Sequence, residues 1–156
     1  MKMDRLGRRQ LIVGALTASV VACRSKDGAD DHETIGPTIA PAALAARMND
    51  VAAGKIAVLY VGPDALFERG HVPGARNVGE AGSASGRRAV AEAIAALPKE
   101  TEIVVYCGCC PVVNCPNVRP ASAVIRASGR SNAHVLDLPT RFATDWADKG
   151  YPVERT

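Results

Sequence analysis

The chain is poor in aromatic residues: two Phe, three Tyr and one Trp make up 4% of its 156 residues. So few rings cannot build a stacking platform for the bases of a nucleic-acid strand. It also lacks a lasting excess of positive charge. The formal +3 originates in the first 22 residues, whose removal takes away four basic residues and one acidic residue and leaves 15 of each sign. A neutral remainder has no electrostatic footprint for a phosphate backbone, so nucleic acid is excluded as a partner. Internal repeats are absent, which excludes solenoid and propeller architectures. Long apolar runs are also missing, since the stretch Leu11–Ala22 stops after 12 residues, short of the roughly 20 that a bilayer-spanning helix needs.

That stretch has another meaning. Lys2, Arg5, Arg8 and Arg9 precede it, and Val20-Val-Ala22 ends it in small residues at Cys23. Positive start, apolar middle and small-residue end form a secretory signal over residues 1–22. The Arg8-Arg9 pair is similar to a twin-arginine export signal, and Val-Val-Ala-Cys23 resembles the lipobox at which cleavage leaves a lipidated cysteine. The expected location is therefore the periplasm or cell envelope, with Cys23 carrying a lipid that anchors the chain to the membrane. Residues 23–39 are polar, with Gly28, Gly36 and Pro37, and read as a flexible tether. Residues 40–156 suffice for one domain.

Within that domain, helical and strand-like segments alternate. Pro41–Val51 places Leu44, Met48 and Val51 on one helical face, and Ile56–Val61 is a continuous apolar run suited to a strand covered on both sides. A short helix over 63–69 closes at Gly70, and a brief strand follows over 75–78. A helix over 85–97 carries Val90, Ile94 and Leu97 and stops at Pro98. A strand over 103–107, a helix over 119–129, a strand over 133–137 and a helix over 139–149 complete the series. This order predicts an α/β domain with a mostly parallel sheet. Phe142 and Trp146, four apart, read as core anchors.

The fifteen residues Cys107-Gly-Cys-Cys-Pro-Val-Val-Asn-Cys-Pro-Asn-Val-Arg-Pro-Ala121 hold four of the five cysteines. Cys107 ends the strand that begins at Ile103, and ligands of open α/β sheets bind beyond the carboxyl ends of strands. The next helix starts near Pro120, so the positive end of its dipole and its unpaired N–H groups are expected to face Cys107 and favour a reactive thiolate. A second possibility stays open: Cys107, Cys109, Cys110 and Cys115 offer soft thiolate donors for a metal ion, in a spacing unlike the common zinc pairs, or close a disulfide within the loop. The cysteine phosphatases wrap phosphate with Cys-x5-Arg, and no cysteine here is followed by arginine at that spacing. His71, in Gly-His-Val-Pro-Gly, reads as a turn residue; His32 and His134 carry no assignment.

Three segments give the chain a resemblance to the rhodanese-like domain family. Phe67-Glu-Arg-Gly-His-Val-Pro-Gly-Ala-Arg-Asn-Val78 is similar to that family's first signature. Ile103-Val-Val-Tyr-Cys107 is similar to the strand that delivers its catalytic cysteine, and Trp146-Ala-Asp-Lys-Gly-Tyr-Pro-Val153 to its closing helix and tail. The resemblance implies a three-layer α/β/α sandwich with a central sheet of about five strands. It also implies a sulfurtransferase whose Cys107 carries sulfane sulfur as a persulfide, with no cofactor. Its partners would be a small sulfur-containing donor and a thiol or cyanide acceptor, or a redox partner protein if the loop cycles through a disulfide. Gly108, Cys109 and Cys110 would cradle the transferred group, and Arg119 would fix an anionic donor. Two departures from the family stand out. Eleven residues separate Cys107 from Arg119, and Tyr60-Val61-Gly62 replaces an ion pair usual near the site.

Overall fold

The computed structural model describes residues 35–156. The leader, Cys23 and the first part of the tether lie outside the described residues.

Alternation along two central strands decides the architecture. In β4 (Glu102–Tyr106), Ile103 and Val105 face one side of the sheet and Val104 and Tyr106 the other, and all four are buried. A strand buried on both faces requires cover on both sides. β2 (Ile56–Tyr60) has the same character and pairs with β4 in parallel, from Ile56 opposite Glu102 to Tyr60 opposite Tyr106. With β1 (Thr38–Ile39), β3 (Arg76–Asn77) and β5 (Ala133–Leu136), the sheet runs β1-β5-β4-β2-β3, every pairing parallel. On one face α4 (Ala84–Ala95) and α5 (Val118–Ala127) set Val90, Ile94, Val118 and Ile125 against Leu59, Ile103 and Val105. Leu44 of α1 (Pro41–Ala45), Val51 of α2 (Met48–Ala52) and Trp146 cover Val58, Val104 and Tyr106 on the other. The domain is the expected three-layer α/β/α sandwich, its five strands all parallel.

Three elements differ from expectation. The helix over 41–51 is two short helices broken at Arg47, whose guanidinium turns inward to donate two hydrogen bonds to Glu102, at 3.0 and 2.7 Å. Those bonds hold the Glu102 carboxyl below its ordinary pKa. The helix over 139–149 shortens to α6 (Phe142–Asp145) and a 3-10 turn, with the Asp145 carboxylate accepting the Thr140 and Arg141 N–H groups at 2.6 and 2.9 Å. Third, residues 35–39, read as the end of the tether, are sheet edge. Thr38 and Ile39 pair with Val135 and Leu136, the Pro37 carbonyl accepts the Val135 N–H at 2.8 Å, and the Ser122 hydroxyl donates to the Ile35 carbonyl at 3.0 Å. The bare edge of β5 needs a partner, and these residues supply it. Among the described residues, no helix is long and apolar enough to cross a membrane.

Trp146 is fully buried, and its indole Nε1 donates to the Pro152 carbonyl at 2.7 Å, tying the C-terminal segment to the sheet. Trp146→Ala is expected to cost about 3–5 kcal/mol of stability. Urea unfolding followed by circular dichroism measures this, because the substitution also removes the only tryptophan fluorophore.

Candidate functional site

Alternation also places the site. Cys107 follows Tyr106 with the same parity as Ile103 and Val105, so its side chain enters the layer between the sheet and α5. The chain must then turn at once, and Gly108 does so with φ +76°, in the left-handed region. A Cβ at Gly108 would also stand 2.7 Å from Cβ of Phe142, whose N–H donates to the Gly108 carbonyl at 3.0 Å. Gly108 is therefore a packing and turn residue on the site wall.

The loop beyond it folds back over the strand end. A 3-10 turn, Val112–Asn114, is pinned where the Val112 N–H donates to the Leu138 carbonyl at 3.1 Å. This return brings Cys115 beneath the N-terminus of α5. The Sγ atoms of Cys107, Cys109 and Cys115 lie within 4.8 Å of one another. Cys107 Sγ is 3.2 Å from Cys109 Sγ, which in turn is 3.1 Å from Cys110 Sγ. Cys107 and Cys115 are each only 1% exposed.

The electrostatics correct one expectation. It is Cys115, not Cys107, that occupies the helix tip. The neighbouring Cys107 side chain and the backbone N–H groups of Asn117 and Val118, which point at its sulfur, draw its pKa well below the ordinary thiol value despite burial. For Cys107 the same contact acts in reverse: the Cys115 side chain, then burial, pushes its pKa up. Burial likewise raises Cys110. Cys107 and Cys115 thus titrate as a pair, in which negative charge is favoured at the helix tip.

Arg119 is not among the residues that line the pocket at Cys107. Its guanidinium donates to the Val113 carbonyl at 2.8 Å and braces the loop from outside. Positive charge comes instead from three segments that the sequence gives no reason to connect. Arg69, Arg141 and Arg155 line a pocket of about 400 Å³ that also contains Cys107, Cys109 and Phe142. Two further residues escaped sequence reasoning. Asn117 offers its amide Nδ2 to Cys107 Sγ at 3.7 Å and accepts the Gly82 N–H at 2.8 Å through Oδ1. It precedes α5, but its side chain makes no cap hydrogen bond and faces the sulfur instead. At Gly62 a Cβ would lie 2.7 Å from Cys107 Sγ and 2.6 Å from the Tyr60 hydroxyl. Its missing side chain is the space that the sulfur occupies. His71 is structural as expected, buried, stacked 3.6 Å from Phe67 and bonded through Nδ1 to the Phe67 carbonyl at 2.8 Å.

The site therefore belongs to a parallel α/β/α sandwich with a thiol at the carboxyl end of its central strand. Residues 40–115 match the rhodanese-like domain, and the chain belongs to that family. No curated protein matches the sequence. Solved structures share the fold. A rhodanese-like domain from Anabaena is 21% identical over 77% of this chain and 80% of its own, with TM-score 0.56. A thiosulfate sulfurtransferase from Pseudomonas aeruginosa is 24% identical over 76% of this chain and 19% of its own, with TM-score 0.54. A Rhodopseudomonas palustris protein described as a possible tyrosine phosphatase is 18% identical over 80% and 89%, with TM-score 0.56.

Gly62→Ala forces either the Tyr60 ring, whose hydroxyl is bonded to the Pro63 carbonyl at 3.0 Å, or the Cys107 sulfur out of place. The expected cost is about 1–3 kcal/mol, read by chemical denaturation, together with a changed rate of Cys107 alkylation.

Proposed function

We propose that the protein is a sulfurtransferase that carries sulfane sulfur as a persulfide on Cys107. One observation carries the reading: the strand-terminal thiol lies at the pocket whose lining includes Arg69, Arg141 and Arg155. Small sulfane donors such as thiosulfate are anions, and a cationic pocket concentrates them at the sulfur.

The chemistry follows from the thiol pair. Cys107 and Cys115 share one proton, and in the less populated form that carries it on Cys115 the Cys107 thiolate attacks the outer sulfur of the donor. With thiosulfate, the new S–S bond forms as the old one breaks, and sulfite leaves with the bonding electron pair. A thiolate or cyanide acceptor then attacks the outer persulfide sulfur, taking it away and returning Cys107 as a thiolate. The sulfur passes on without net oxidation or reduction of the protein. Cys109, on the same pocket wall, touches the transferred group; Cys115 acts from behind as proton acceptor. The signal over residues 1–22 and the lipobox at Cys23 support a location in the cell envelope, anchored by lipid and facing small sulfur anions or a partner thiol there.

Mass spectrometry of the reduced protein after thiosulfate or polysulfide treatment is expected to show an adduct of about 32 Da, one sulfur atom, on Cys107. Labelling of another cysteine, or full activity in Cys107→Ser, would overturn the assignment. Neutralising the pocket in Arg69→Ala/Arg141→Ala is expected to raise KM for thiosulfate roughly tenfold, change kcat less than about twofold and flatten the salt dependence of kcat/KM. Steady-state kinetics at two ionic strengths checks this.

A further inference from the structure

The cysteine loop offers more than one nucleophile requires, because sulfur transfer uses Cys107 and a proton acceptor, yet three thiols converge. We propose that Cys107, Cys109 and Cys115 form a three-sulfur site for copper(I).

Geometry supports three-coordination. Metal–thiolate bonds of about 2.3 Å arranged trigonally set the sulfurs roughly 4 Å apart. The three Sγ atoms already lie within 4.8 Å of one another, and closing on an ion requires only that the 3.2 Å Cys107–Cys109 pair open by less than 1 Å. The donors are all sulfur, with no histidine or carboxylate in the group. An all-thiolate set selects soft cations and excludes calcium and magnesium, which take oxygen. Zinc prefers four ligands in a tetrahedron. The fourth thiol, Cys110, touches Cys109 at 3.1 Å and interacts with Cys115, yet it stands outside the set in which every sulfur lies within 4.8 Å of every other, so three sulfurs converge where tetrahedral zinc needs four.

The surroundings suit that ion as well. On the side away from the pocket, Cys107 and Cys115 back onto Val112, Val118, Leu136 and Leu138 around a gap too small for water, so solvent cannot reach the cluster from behind. A cation holding three thiolates is a net anion. The N–H groups of Asn117 and Val118 and the Asn117 amide face the sulfurs and offset that charge. Copper enters already reduced, so no electron moves; ligands still protonated release their thiol protons as the metal–sulfur bonds form.

This inference stands apart from sulfur transfer, although both use Cys107, and the two fail separately. Reduced protein, handled without oxygen, is titrated with copper(I) against bathocuproine disulfonate, and the product is examined by X-ray absorption. Retention of one equivalent with three sulfur neighbours is expected. Cys109→Ser, a change at a partly exposed position, is expected to weaken binding at least about 100-fold, whereas Cys110→Ser stays within roughly threefold of the parent. Complete loss of copper to the competitor, four sulfurs around a preferred zinc ion, or equal damage from Cys110→Ser would each overturn the site. Persulfide labelling of Cys107 in the metal-free protein is untouched by any of those results. Copper-loaded protein should resist that labelling.

Discussion

The N-terminus of α5 must find an acceptor for its unpaired N–H groups, and the sulfur of Cys115 supplies it. Much of the site depends on that one contact. To bring Cys115 there, the loop after β4 has to leave the sheet, make a 3-10 turn at Val112–Asn114 and return, pinned by Leu138 on one side and braced by Arg119 on the other. The return path stacks Cys115 against Cys107, which the alternation of β4 has already committed to the same layer. The thiol pair is thus the meeting point of two independent constraints, strand parity and helix capping. Neither residue can move without uncovering a buried polar group.

How much of this could be read from the chain follows the range of the interactions. β4 was legible because Ile103-Val-Val-Tyr106 is an apolar, β-branched run, and its end at Cys107 follows directly. The apolar stripe of α4 was legible from Val90 and Ile94 at helical spacing; its pairing with α5 over one face of the sheet appears only in the fold. The break at Arg47 was not, since its cause is a carboxylate 55 residues away at Glu102. Nor was the edge strand, because Thr38 and Ile39 become a strand only when the edge of β5 lies beside them.

Inside the loop the sequence shows four sulfurs and one helix start without saying which sulfur meets it. Spacing favoured Cys107, at the strand end; the fold chose Cys115, because Val112 is tied to Leu138 and the chain doubles back. The arginines were missed for a similar reason. Arg69 ends α3 (Asp64–Arg69), Arg141 precedes α6 and Arg155 lies in the C-terminal tail, so only the folded sheet edge makes them neighbours. Gly62 looked like the loss of an ion pair, and its steric role appears only when the Cys107 sulfur is in place.

These placements together explain why an enlarged loop and a cationic pocket occur in the same molecule. A short loop wrapped around one cysteine aims its N–H groups at the incoming anion. Here two of those groups serve Cys115, so the backbone has less to offer a donor at Cys107, and its negative charge must be met by other means. Side-chain charge at the pocket is the remaining source, and three arginines provide it. Guanidinium groups on exposed segments act at longer range and with looser geometry than fixed N–H groups. On the proposed reading, such a site recognises charge more than shape, with Cys115 at the helix tip behind the attacking sulfur. The proposed copper site draws on the same arrangement, because the N–H groups of Asn117 and Val118 already face the Cys115 sulfur and would offset the charge of a metal–thiolate centre.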